Sequence, residues 1–396
     1  MDGGSDQPQV QHVAVLLPDE RDCFRQTLLG ISAFALTEPS WQVQRFVPRG
    51  RRFKVDLSRY DGLLLGPFGL DITEPAARSC GGPVVNVFNE TLRHTGQVGA
   101  IVLCDDSKVG RLGAEYFLKQ GFRHFGFVGV DTSWSDVRRR AFVGTIESAG
   151  GSVQCLQIST KTQLWPGVTH GPMQSRLAAW LGSMPTPTAI MTCNDDACRR
   201  VAQVCQDRGI VVPGQVSLLG VDDDEVECEL GVPKLSSVAL PWRRVGFEAS
   251  RILDGLMRGR RRGRFKPTVH RFDPDRVMVR RSTEAPAADD DDVARVVEYI
   301  EQHAHVPTSV ADLLPIASMS RRALELRFRS AVGRSPAEEI RRVHIKRASE
   351  LLAQTQLPVK QIALRSGFSS AAQFSRIFRS ATGQSPSAYR IMALGR

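Results

Sequence analysis

The chain has 396 residues, 42% of them hydrophobic and 24% charged, and carries a formal net charge of +10. That length favours two or three domains over one core, and the apolar fraction excludes a mostly disordered chain. Its apolar runs, such as Val13–Leu17 and Leu63–Leu65, fall far short of the roughly 18–20 residues that span a bilayer, which argues against a membrane protein.

Residues 1–11 are polar, with neither a basic start nor an apolar stretch. They predict a disordered N-terminus and no signal peptide, hence a cytoplasmic protein. The eight cysteines (Cys23, Cys80, Cys104, Cys155, Cys193, Cys198, Cys205 and Cys228) contain no C-x-x-C pair. Zinc-ribbon and redox motifs are therefore missing, and buried reduced thiols are expected.

From residue 12 to 282 strand-like and helix-like patterns alternate. Val13–Leu17, Gly62–Leu65, Val84–Phe88, Phe125–Val130, Ala189–Thr192 and Ser217–Gly220 read as buried strands. Asp22–Leu36, Lys108–Gln120, Val137–Ala149 and Asp196–Arg208 carry apolar residues at helical spacing. This βα alternation predicts parallel sheet with helices on both faces, arranged as two lobes. No G-x-G-x-x-G, P-loop, H-E-x-x-H or G-x-S-x-G motif occurs, so no nucleotide cofactor, metal or nucleophile has its usual cradle. His303-x-His305 falls at a helix end and is not read as a metal pair.

Acidic clusters follow three strands: Asp105-Asp106, Asn194-Asp195-Asp196 and Asp222–Glu225. Strand C-termini of open α/β sheets face the ligand crevice. Such carboxylates fit either catalysis on a sugar or nucleotide or the holding of ligand hydroxyls. An enzyme with a basic interaction module is thus one reading, and a ligand-binding module another. The Arg258–Lys266 segment (RGRRRGRFK) is expected to be an exposed loop.

A linker, TEAPAADDDD, occupies residues 283–292, and its last Asp is placed to cap a helix beginning at Val293. Beyond it, residues 293–396 hold 16 Lys and Arg against 7 Asp and Glu, or +9; the other 292 residues hold 36 against 35, or +1. Charge confined to one small domain is the footprint of a polyanion partner.

That quarter also repeats. Arg327–Pro336 (RFRSAVGRSP) matches Ile377–Pro386 (IFRSATGQSP) at seven of ten positions, 50 residues apart. Each copy predicts a short helix, a tight turn and a second helix, over about 309–329 and 359–380. In the second copy Gly367 fits the turn, and Phe374, Ile377 and Phe378 form an inward stripe. Ser335-Pro336-Ala337-Glu338 reads as a capping box opening a long helix to about Ala353, with Ile340, Val343, Ile345 and Leu351 among its apolar positions.

This quarter, with IALRSGFSSAAQFSRIFRSATGQSPSAYR in its second copy, resembles the DNA-binding domain of AraC-type transcription regulators. The resemblance implies that solvent-facing residues of each recognition helix read bases. These are Arg321, Arg322 and Glu325 in the first unit, and Ala371, Ala372, Gln373 and Arg376 in the second. Arg329 and Arg379 are implied phosphate anchors. The first unit departs from the pattern: Pro315 lies inside its short helix, Ser318 stands at the usual turn Gly, and Leu326 replaces a common Arg. A later or distorted first helix is therefore expected.

Upstream, CDDSKVGRLGAEYFLKQGFRHFGFVG, SWSDVRRRAF and the stretch from Ala189 to Val238 resemble the effector domain of LacI/GalR-type repressors, with the two-lobed fold of periplasmic sugar-binding proteins. The resemblance implies effector contacts from Arg138 and Asp222, with Asn194 or Asp195 as a third. Trp134 or Trp165 is available for stacking, while Asp223, Asp224, Glu225, Arg139 and Arg140 are expected at the solvated surface. A LacI-like sensor ahead of a C-terminal AraC-like reader resembles the plan of the xylose-operon regulators. It implies a homodimeric regulator that binds a double-stranded operator under control of a monosaccharide such as xylose, with no cofactor.

Overall fold

Four successive buried residues of β1 (Gln11–Leu16) place it inside a sheet covered on both faces. In the computed structural model, the described residues are 10–48, 56–88, 98–158, 172–259, 266–284, 291–332 and 334–393. Trp165, residues 1–9, residues 285–290 of the linker and residues 260–265 of the basic loop lie outside them. The chain divides into two compact units, Met1–Val212 with Leu218–Thr283, and Pro213–Ser217 with Glu284–Arg396.

The first unit contains two six-stranded sheets. One has the order β11 (Thr268–Phe272), β5 (Val98–Cys104), β4 (Val84–Val87), β3 (Gly62–Leu65), β1 and β2 (Trp41–Phe46), with its strands paired in parallel. The other runs β12 (Arg276–Met278), β10 (Ser236–Ala239), β9 (Val216–Asp222), β8 (Thr188–Thr192), β6 (His124–Val130) and β7 (Val153–Ile158). Only its edge strand β12 is known to run antiparallel, against β10.

The chain passes between the sheets through α3 (Asp106–Lys119), through α8 (Trp242–Arg258) and between β11 and β12. Three helices, α3 among them, start earlier than their apolar spacing predicts, two of them on a polar cap. Asp105 accepts from the Ser107 and Lys108 amides at the start of α3. Asn194 caps α6 (Asp195–Asp207) in the same way, whereas α4 (Ser133–Ser148) starts without a side-chain cap.

The second unit is helical: α9 (Asp291–Gln302), α10 (Val310–Ala317), α11 (Arg321–Val332), α12 (Pro336–Gln354), α13 (Val359–Arg365), α14 (Ala371–Thr382) and α15 (Pro386–Ala393). Helix α12 opens on the expected capping box of Ser335 and Glu338 and is shared by two small cores. Ile340 and Val343 pack with Leu324 and Phe328. Ala348 and Leu352 pack with Ile362, Phe374 and Phe378.

Two local expectations are corrected. Helix α9 begins at Asp291 rather than at Val293, so Asp292 lies inside its first turn and pairs with Arg295 and Arg327 instead of capping. Helix α10 runs straight through Pro315. Pro315 and Ala311, whose carbonyl loses its helical donor, are both exposed, so water can take the missing partner's place.

All eight cysteines are free thiols; seven are buried and Cys155 is exposed. Burial pushes the Cys80 and Cys193 thiols up to about 11, which leaves them poor nucleophiles. Among the described residues no helix is long and apolar enough to cross a membrane, and no cluster of His, Cys, Asp and Glu could hold a metal ion.

Candidate functional site

Arg138 sits in the second turn of α4 with its side chain only 5% exposed. Its Nε donates to Asp106 Oδ1 at 2.7 Å and its Nη1 to the Cys193 carbonyl at 2.6 Å. Asp222 Oδ1 stands 3.9 Å from Nη1, and the guanidinium lies 4.9 Å from the Trp134 ring centroid. Burial opposes the charge, but Asp106 and Asp222 outweigh it and hold the guanidinium pKa above its ordinary value. Residues from α3, α4, the end of β8 and the end of β9 thus converge on one cation.

Asp222 is the least satisfied member of this group. It ends β9 with φ of 109°, and Asp223 follows at 57°, two consecutive non-glycine residues in the left-handed region. Among the described residues no hydrogen-bond donor reaches its carboxylate. Burial pushes that carboxyl up to about 6, against the pull of Arg138 and Arg21.

The neighbouring acids are occupied by their own chain. Asp195, 1% exposed, accepts the Ser237 hydroxyl at 2.6 Å and the Asp224 amide at 2.8 Å. Burial pushes its carboxyl well above the usual range. Position 220 must be glycine for this approach, since a Cβ there would lie 2.0 Å from Asp195 Oδ1. Asn194 uses its Oδ1 to cap α6 through the Ala197 amide at 3.0 Å.

Asp223 and Asp224 are not the solvated loop the sequence predicts. Asp223 pairs with Arg280 at 2.8 Å. Asp224 caps α7 (Glu225–Leu230) through the Val226 and Glu227 amides, and also accepts the Asp22 amide at the start of α1 (Asp22–Thr37). Arg139 and Arg140 both pair with Asp136, and only Arg140 is fully exposed. Sequence reasoning missed Asp106 as the partner of Arg138, although it flagged the acidic pair containing it. Arg280 gave no signal at all.

In the helical unit, α11 buries Leu324 and Phe328 and turns Arg321, Arg322, Glu325 and Arg329 outward. Helix α14 buries Phe374 and Phe378 at i, i+4, leaves Ile377 half-buried, and exposes Ala372, Gln373, Arg376 and Arg379, with Ala371 partly covered. Arg321 pairs with Glu325 at 3.1 Å, and Gln373 Oε1 accepts the amide and hydroxyl of Ser369. Arg322, Arg376 and Arg379 pair with no carboxylate among the described residues. The turns differ: Ser318 carries φ of 51° in the first unit, and Gly367 carries 75° in the second. Helix α11 presents cationic donors, and α14 cationic and amide donors, of the kind that read base edges and phosphates.

A two-sheet α/β module with a polar cluster at its strand ends, joined to a double helix-turn-helix, defines a ligand-responsive DNA-binding protein. Residues 114–283 match a periplasmic binding protein-like domain, and residues 314–392 match a helix-turn-helix domain. The Xylose operon regulatory protein of Escherichia coli (strain K12) is 30% identical over 279 residues, 69% of each chain. Its namesake from Haemophilus influenzae is 27% identical over 73% of this chain and 74% of its own. The solved structure of the xylose-binding transcription activator XylR superposes with a TM-score of 0.79 at 25% identity, covering 97% of this chain and 99% of that one. The chain belongs to the family of xylose operon regulatory proteins. It is a DNA-binding transcription regulator, and its relatives are regulators rather than enzymes.

Proposed function

We propose that this regulator senses a monosaccharide, D-xylose first among candidates, in the crevice around Arg138 and Asp222. The observation that carries the proposal is the Asp222 carboxylate: half-buried, strained and without a hydrogen-bond donor among the described residues, beside a buried guanidinium. Vicinal hydroxyls of a sugar would supply the missing donors and accept from Arg138 in the same step. Asn194, whose amide nitrogen is not used by the cap, is the third contact. Asp195 acts as a positioning residue, holding the Asp222–Asp224 turn through Ser237 and the Asp224 amide.

The reader would contact bases through Arg321, Arg322, Glu325, Ala371, Ala372, Gln373 and Arg376, and phosphates through Arg329 and Arg379. The protein would work in the cytoplasm as a homodimer, so that sugar binding changes the placement of paired readers. A ligand can do this only through different affinities for the two arrangements.

Calorimetric titration of the full chain with D-xylose and related pentoses tests the site. The wild type should bind one sugar per chain, and Asp222→Ala should lose that binding at least tenfold while retaining operator affinity. Undiminished sugar binding by Asp222→Ala would remove the site from the crevice.

A further inference from the structure

Leu326 is 74% exposed, the most exposed large hydrophobic residue described in the helical unit. It lies on α11 one residue before the repeated segment, so the 50-residue offset makes it the counterpart of Arg376. Both stand two residues before a fully buried phenylalanine, Phe328 or Phe378, and therefore project from the same side of their helices. Leu326 belongs to neither core of the unit. Its neighbours at i−4 and i+3 are Arg322 and Arg329, both exposed.

An isolated leucine between two arginines gains nothing from water and makes no core contact. It would be covered by a surface that is anionic around the arginines and apolar at one point. Duplex DNA has that pattern: phosphates flank the major groove, and the 5-methyl of thymine is the apolar group on its floor. We propose that Leu326 reads a thymine methyl in the half-site bound by α11. At this one position the two units then read by different chemistry, the first through an apolar contact and the second through Arg376, whose fork suits guanine. This inference rests on α11 being a recognition helix, the reading given above.

The test uses the full chain and a DNA fragment that it selects from random sequence. Each thymine is replaced in turn by deoxyuridine, which removes the methyl group alone. For the wild type, one replacement in the α11 half-site should weaken binding about threefold to tenfold, the range expected for one buried methyl-sized apolar contact. Leu326→Ala should weaken binding to the thymine fragment by a similar factor and be indifferent to that replacement. Leu326→Arg should shift the preference at the same base pair towards guanine.

If Leu326→Ala keeps the deoxyuridine penalty, or if no thymine shows one, the inference is overturned. The underlying reading fails separately. In that case Arg322→Ala and Leu326→Ala would both leave affinity unchanged. Binding lost with Arg322→Ala but untouched by Leu326→Ala overturns the thymine contact alone. Apolar covering by another protein would appear as unchanged DNA affinity for Leu326→Ala, and it too overturns the proposal.

Discussion

Two acidic side chains, Asp222 of the first unit and Glu339 of the reader, are treated in opposite ways. In the reader, Glu339 is only 2% exposed, yet Arg342 engages both its oxygens at 2.9 and 2.7 Å and Arg334 adds a third contact at 3.3 Å. Helix starts are filled by Ser309 with Asp312, Ser335 with Glu338, and Ser370 with the Gln373 amide. Beside Arg138, Asp222 is half-buried and strained in its backbone, without a single hydrogen-bond donor among the described residues. A complete network stabilises a fixed shape, whereas an incomplete one holds interaction energy that a ligand can supply. Glu339 is therefore satisfied in advance, whereas Asp222 has acceptor capacity to spare.

The largest effect should come from disturbing the reader. Gly367→Ala forces a side chain onto φ of 75° and places a Cβ 2.5 Å from the His344 imidazole and 2.8 Å from the Val306 carbonyl. It should destabilise the helical unit by about 2–3 kcal/mol, read as a lower calorimetric midpoint, and weaken DNA binding. An unchanged midpoint would show that the reader is looser than its packing implies.

A smaller effect of opposite sign is expected in the crevice. Asp222 has its carboxyl raised to about 6 in the folded chain, so the folded state holds the proton more tightly than the unfolded one. Stability from this group is present below the ordinary carboxylate range and is lost as pH rises towards about 6. Asp222→Asn should therefore stabilise the first unit at pH 7, by on the order of 1–2 kcal/mol, and flatten that part of the pH profile. Sugar affinity of the wild type should fall as pH drops below about 6, since the carboxyl then loses acceptor capacity. A variant less stable than the wild type at pH 7 would mean that Asp222 is already satisfied.

The sequence revealed most where structure is local. Caps, the turn glycine at position 367 and the Phe374–Phe378 stripe are encoded within a few residues, and the second helix-turn-helix followed directly from them. Edge strands were harder. β2 exposes most of its residues and β7 about half, so neither shows a buried run. Helix α8 buries Val245, Ala249 and Leu253, a helical spacing that is legible in the sequence. So is β5, buried at every position.

Within the crevice, Arg138 and Asp222 were reached by resemblance rather than by periodicity. The role of Asp195 was hidden because its partners lie 42 and 29 residues away in sequence. Pro315 shows the converse: a rule about helices held in sequence and yielded to an exposed site.

On the function proposed above, sugar binding beside Arg138 and Asp222 sets how the reader engages DNA. The most direct measurement is operator affinity of the full chain at one fixed salt concentration, with and without saturating D-xylose, for the wild type and for Asp222→Ala. The account predicts at least a fivefold change on sugar addition for the wild type and none for Asp222→Ala, with similar sugar-free affinities. A wild-type affinity indifferent to every monosaccharide tested, or an equal response from Asp222→Ala, would contradict it.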